Sequence, residues 1–119
     1  MKVQFLQVEF TEIDVLKEEV LNFVNHQKDL ISQTTNDSER YNRFIMFDIG
    51  RELYFNFGNR IVNNLKSHGK TKCTFSVSIA EAALLQFVCC FDTSNKGDFT
   101  KHTLQRFSDM IDQQIKSII

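Results

Sequence analysis

The residues of this sequence best suited to act as catalytic nucleophiles are its three cysteines. Cys89 and Cys90 lie in an apolar run, where a thiol behaves as a small hydrophobic group and stays protonated. Cys73 lies beside Lys72 and near Lys70, whose positive charges favour the thiolate that nucleophilic catalysis needs. A thiol-dependent enzyme with Cys73 as nucleophile is therefore one hypothesis, although a single cysteine in a basic segment is a weak signal.

Other catalytic signatures are missing from the sequence. The three histidines are far apart, and neither they nor the cysteines have the spacing of a metal site. Gly69-Lys70 lacks the upstream glycine of a phosphate-binding loop, and carboxylate pairs such as Glu18-Glu19 fall on outward faces of predicted helices. We therefore expect no catalytic residue, no metal and no cofactor, and a protein that is not an enzyme.

Charge is unevenly distributed along the chain. The first 39 residues carry three lysines against eight carboxylates, a net charge of −5, whereas residues 40–72 carry seven basic residues against two acidic ones, a net charge of +5. Arginines in this basic segment alternate with aromatic residues, a combination enriched at protein-binding hot spots and suited to phosphate binding and base stacking. The residues predicted to bind a partner are Arg40, Arg43, Arg51, Tyr54, Arg60, Lys66, Lys70 and Lys72.

Two kinds of partner compete for this segment. We favour a protein: the chain would be a small regulator, adaptor or inhibitor that binds a larger protein, a ribonucleoprotein or itself, and small inhibitors from mobile elements fit this description. The isoelectric point near 6.3 and the acidic first block disfavour a dedicated nucleic-acid binder. The alternative is RNA binding through the basic residues of the 40–72 segment. A purely structural role also stays open, in which carboxylates of the first block neutralise the arginines within the fold.

The elements that would position these residues are predicted to be mainly helical. The length of 119 residues and the 42% hydrophobic content suit a single domain over 1–119, and the absence of proline permits long helices. We predict a compact bundle of about four helices. A short extended segment, broken near Leu6-Gln7, comes first, and another lies near 71–77.

Local signals set the expected helix limits. Thr11 is the predicted N-cap of the first helix, which runs to about Ser32. Ser78 and Glu81 form a capping-box pattern that opens a helix of almost entirely apolar residues, which should be the most buried. The last helix is predicted from about Phe99 to Ile118, with an inward face of Leu104, Phe107, Ile111, Ile115 and Ile118.

The segment 44–57 is ambiguous. Apolar residues at steps of three and four favour a helix that ends before Gly69, in which Arg51 shares a face with Phe44, Phe47 and Tyr54. A second apolar stripe would lie opposite and require neighbours, or subunits, on both sides. The alternative is an α+β fold with a hairpin at 44–57 turning at Gly50-Arg51. The helix is favoured because its pattern continues beyond the segment.

The sequence also suggests a location. The N-terminal residues lack the apolar run of a secretory signal, and the longest uncharged apolar stretch, residues 82–91, is far shorter than the ~20 residues of a membrane span. The odd cysteine count does not suggest a disulfide framework. We expect a cytoplasmic protein with no membrane partner.

Overall fold

The chain folds into four helices and a two-stranded antiparallel sheet. The structure is a computed structural model that describes residues 1–66, 69, 71–90 and 96–118. In chain order the elements are β1 (Lys2–Glu9), α1 (Phe10–Gln33), α2 (Asp37–Lys66), β2 (Lys72–Ser78), α3 (Ile79–Cys90) and α4 (Asp98–Ile118). The predicted mainly helical fold with two short extended segments is confirmed. No helix in the described part of the chain is both long and apolar enough to cross a membrane.

The helices α1 and α2 lie antiparallel and begin at side-chain caps. The predicted N-cap of α1, Thr11, is wrong, because the helix already begins at Phe10. Glu9, the last residue of β1, keeps an extended backbone and forms a capping box with Glu12. At the start of α2, Asn36 Oδ1 accepts a hydrogen bond from the backbone N–H of Glu39 at 3.0 Å.

The segment 44–57 lies wholly within α2, so the alternative prediction of a hairpin there is wrong. Gly50 is not a turn residue but the point of close approach between α2 and its neighbours. A Cβ added at Gly50 would lie 2.7 Å from Val24 Cγ2 of α1 and 3.4 Å from Leu84 Cδ2 of α3. Glycine suits this position because a Cβ would require Val24 to move or the helices to separate.

The sheet joins the first strand to the strand that follows the α1–α2 pair. Phe5 lies opposite Phe75, whereas Val8 lies opposite Cys73, so β1 contains one residue more than β2 between these pairs. This β-bulge places Gln7 at a positive φ of 54° and turns Leu6 outward. It explains the break in the apolar alternation near Leu6-Gln7.

Each open edge of this small sheet is bonded by a helix side chain near its middle. On the β1 edge, the Gln114 amide of α4 accepts from the backbone N–H of Gln4 at 2.8 Å and donates to its carbonyl at 2.6 Å. On the β2 edge, Arg60 Nη2 of α2 donates to the carbonyl of Ser76, the residue opposite Gln4, at 3.1 Å. The outward backbone groups of Gln4 and the carbonyl of Ser76 are thus satisfied by α4 and α2.

Residues of all six elements meet in one hydrophobic core. Its centre is a cluster of aromatic rings in which Phe5 lies 5.1 Å from both Phe75 and Phe107, measured between ring centroids. Phe57 of α2 contacts the ring of Phe75 from another side, at 5.7 Å. The tilted and edge-on geometries are those that aromatic pairs prefer, so the cluster joins the sheet to α2 and α4.

The structure confirms the predicted start of α3 and part of the predicted burial of α3 and α4. The capping box of α3 is confirmed, with hydrogen bonds between Ser78 and Glu81 in both directions. Its buried residues are Ala82, Leu84, Leu85, Val88 and Cys89, so the predicted burial holds for one side of the helix, whereas Ala80, Ala83 and Phe87 are exposed, and Phe91 lies outside the described residues. The predicted face of α4 is confirmed from Leu104 to Ile111.

One ion pair closes the junction of α1 with α4. The carboxylate of Glu12 is buried and accepts a hydrogen bond from Arg106 of α4 as well as from the backbone N–H of Glu9. Because both carboxylate oxygens have a donor, the cost of burying this charge is offset.

Candidate functional site

The side of α2 that faces away from the core carries a row of large apolar side chains. Gly50, Leu53 and Phe57 face inward, and residues about half a turn away from them project to the opposite side. Tyr41, Phe44, Ile45 and Phe55 are 65%, 45%, 58% and 60% exposed, respectively. We call this surface the outer face of α2, which comprises Tyr41, Phe44, Ile45, Asp48, Arg51, Glu52 and Phe55.

As predicted, α2 carries apolar residues on two faces, but the residues of each face differ from the predicted ones. Phe47, Ile49 and Tyr54 pack against the core together with Leu53, so Phe44 and Phe47 do not share an environment. The α1 and α3 helices cover the inner side near Gly50. Large apolar side chains on a helix are usually buried against a neighbour, and the described part of the chain provides none for those of the outer face.

Two arginines frame this surface. Arg40 and Arg51 are eleven residues apart, about three helical turns, and therefore project from the same side of α2. Both are exposed, and no carboxylate of the described residues lies within salt-bridge distance of either. The guanidinium of Arg51 lies 6.0 Å from the ring of Phe47. The acidic residues nearest to it in sequence, Asp48 and Glu52, likewise take part in no ion pair among the described residues.

Three of the predicted binding residues instead make contacts within the fold. Arg43 Nη2 lies 2.8 Å from a Glu39 carboxylate oxygen, and its Nη1 donates to Gln27 at 3.4 Å. Tyr54 is half-buried, with the Lys17 ammonium 5.8 Å from its ring centroid. Arg60 is the third, and its contacts are the most extensive.

Arg60 bridges α2 and β2. Its guanidinium lies 4.7 Å from the ring centroid of Phe75 while it donates to the Ser76 carbonyl. Burial lowers the pKa of Arg60 below its ordinary value, and the negative charge of Glu81 acts in the opposite direction. A guanidinium in this position stabilises the sheet edge and is not presented to solvent as a binding group.

The remaining predicted residues lie near the end of α2 and beyond. Lys72 is exposed and lies opposite Glu9 in the sheet. The side chain of Lys66 and the whole of Lys70 lie outside the described residues. Of the predicted binding residues whose side chains the structure describes, it brings only Arg40 and Arg51 to one surface. It adds Tyr41, Phe44, Ile45 and Phe55, which were not among the predicted binding residues.

Comparison of the chain with protein families, characterised proteins and solved structures finds no match. The outer face of α2 is therefore the starting point for any functional argument.

Cys73, the nucleophile of the thiol-enzyme hypothesis, is partly buried in β2, and Cys89 and Cys90 lie in α3. Cys89 is buried, and burial, helped by the neighbouring Cys90 and Glu19, raises the pKa of its thiol to about 12. Within the described residues, no group of three or more histidine, cysteine, aspartate or glutamate side chains is arranged to hold a metal ion.

The raised pKa of Cys89 predicts a large difference in reactivity between the adjacent cysteines. Iodoacetamide at pH 8 should label the exposed Cys90 readily and leave Cys89 unlabelled, because a thiol with a pKa of about 12 is almost entirely protonated there. Peptide mass spectrometry before and after denaturation measures both sites. The burial should also make wild type lose stability relative to Cys89→Ala as the pH rises from about 9 towards 12, because the thiol ionises in the unfolded chain before it ionises in the folded one. Equal labelling of both cysteines in the folded protein would contradict the prediction.

Proposed function

We propose that this chain is a small, non-enzymatic protein that binds another protein through the outer face of α2, as a regulator, adaptor or inhibitor of a larger protein or ribonucleoprotein. The observation that carries the proposal is the row of exposed aromatic and aliphatic side chains on α2, with an unpaired Arg51 beside it. Their exposed surfaces, which lie around Asp48, sum to on the order of 400 Å², an area comparable to that of the largest apolar patches on monomers.

The composition of the surface favours a protein partner over RNA. Asp48 and Glu52 lie in the middle of the outer face, where they would repel a phosphate backbone. Arg43 and Arg60, two residues of the alternative RNA-binding set, are engaged within the fold. Aromatic residues and arginine, by contrast, are the residue types that dominate protein-binding hot spots. We also propose a cytoplasmic location, for which the odd cysteine count is the support.

Two double variants test the proposal: one on the outer face of α2 and a control on α3 and α4. Tagged wild-type protein and the variant Phe44→Ser/Phe55→Ser would be used to recover proteins from a nuclease-treated lysate of the native cells, followed by affinity measurement with the purified partner. We expect the variant to raise the dissociation constant at least tenfold, because exposed aromatic anchors carry much of the energy of an interface.

The matched control removes two phenylalanines from other helices. Phe87 of α3 and Phe99 of α4 are 60% and 54% exposed, so Phe87→Ser/Phe99→Ser changes the surface chemistry equally. The control should bind like wild type. Equal losses for both double variants, or a partner that is recovered only without nuclease treatment, would contradict binding of a protein by the outer face of α2.

A further inference from the structure

The outer face of α2 carries charges of both signs near its centre and an aromatic residue at each end, so it can pair with a copy of itself in the antiparallel direction. Asp48 lies midway between Tyr41 and Phe55, seven residues from each, which corresponds to two helical turns. Arg51 lies three residues after Asp48, and both charges are unpaired within the described chain. A surface in contact with its own copy must satisfy such a symmetry condition.

We propose that in the free protein a second copy of this chain covers the outer face of α2, with the two α2 helices antiparallel and the two-fold axis at Asp48. The proposal rests on the proposed function, since it names the protein that this same surface binds. Tyr41 then packs against Phe55 of the second copy at both ends of the contact, and Ile45 lies beside the aliphatic stem of the second copy's Arg51. Aromatic rings meet aromatic rings at each end.

The same arrangement pairs the central charges. Arg51 is about 4.5 Å along the helix axis from the two-fold axis, where Asp48 of the second copy lies, so each guanidinium can reach the carboxylate across the interface. The two arginines thus flank the two aspartates and offset their mutual repulsion. Both directions bring Asp48 near Asp48, but a parallel, in-register pair would also place Arg51 beside Arg51, whereas the antiparallel pair keeps the two arginines about 9 Å apart along the helix axis. The antiparallel direction is therefore the one that the charges favour.

The size of the surface indicates a weak dimer. The exposed apolar side chains supply on the order of 400 Å² per chain, about half of what each partner buries in a standard interface. We expect dissociation in the micromolar range. Self-association of this strength would cover the exposed apolar residues of α2 in the free protein. A larger partner that binds the same face more tightly would displace the second copy.

Reversal of single charges provides the sharpest test. In Asp48→Arg the two central positions of both chains are positive, and in Arg51→Asp they are negative, so each variant should be monomeric. An equimolar mixture should form a heterodimer, because each positive central position of the first variant then faces a negative central position of the second. Sedimentation equilibrium of wild type, each variant and the mixture, from micromolar to millimolar concentration, measures these masses, and circular dichroism checks that each variant is folded.

A cross-link tests the position of the axis. In a background with Cys90→Ser, Asp48→Cys places two thiols at the two-fold axis, and mild oxidation should link two chains. Asn59→Cys is the matched control: Asn59 is also exposed, eleven residues further along α2, so its two copies would be about 33 Å apart along the axis and should not link.

The outcomes separate this proposal from the proposed function. A monomeric wild type at every concentration, a dimer that survives Asp48→Arg, or efficient linking through Asn59→Cys would overturn the self-pairing. None of these results bears on whether Phe44→Ser/Phe55→Ser weakens binding of a purified partner, which tests the proposed function alone.

Discussion

Phe5→Ala should lower the free energy of unfolding by about 3–5 kcal/mol, a large part of the ~5–15 kcal/mol that stabilises a domain of this size. Phe5 is fully buried, and its ring contacts the rings of Phe75 and Phe107, so its loss would leave a cavity between β2 and α4. Urea denaturation followed by circular dichroism measures the change.

Leu6→Ala is the matched control for this prediction. Leu6 is the next residue of β1, but the β-bulge leaves it 58% exposed, so its truncation should change the free energy of unfolding by less than about 0.5 kcal/mol. Similar losses for the two variants would mean that the bulge does not turn Leu6 out of the core.

Gly50→Ala and Gly58→Ala should change stability in opposite directions, although both introduce a methyl group into the same helix. At Gly50 the new Cβ would lie 2.7 Å from Val24 Cγ2, and we expect a net loss of about 1–2 kcal/mol as the helices move apart. At Gly58 no heavy atom lies within 4 Å of the new Cβ, so the higher helix propensity of alanine should add about 0.5–1 kcal/mol. Thermal and urea unfolding of both variants measure the difference.

A double-mutant cycle tests the cause of the Gly50 effect. Val24→Ala removes the methyl group that the new Cβ would strike, so in that background Gly50→Ala should become neutral or stabilising. An unchanged loss would show that Val24 is not the obstacle, and that contact with Leu84 or the backbone limits the approach of the helices.

The sequence was sufficient to predict which segments form helices and strands, but not which side of each helix faces the core. The steps of three and four beyond residue 57 identified α2 as a helix, the Ser78-Glu81 pattern located the start of α3, and the break near Leu6 marked the bulge. Local signals were sufficient there because caps, turns and periodicity act within a few residues. In α3 the side chains are apolar on all sides, so periodicity could not show that Phe87 would lie outside.

The residues of the candidate site were also predicted only in part. Whether an arginine faces solvent depends on contacts between residues distant in sequence: Arg60 lies against Phe75, and Arg43 is within hydrogen-bonding distance of Gln27. The basic segment therefore identified α2 as the candidate binding helix, but it did not show which of its arginines are free to contact a partner. The packing at Gly50 determines the outward direction of Arg51, and no pattern in the sequence reports that close approach.

The side chains that bond the middle of each sheet edge also protect the chain from aggregation. Unpaired strand edges recruit strands from other molecules, and proteins commonly block them. Here Gln114 occupies the backbone groups of Gln4, and Arg60 occupies the carbonyl of Ser76. Fewer backbone groups at the middle of the sheet are then open to a strand of another molecule, which favours association through the helices over growth of the sheet.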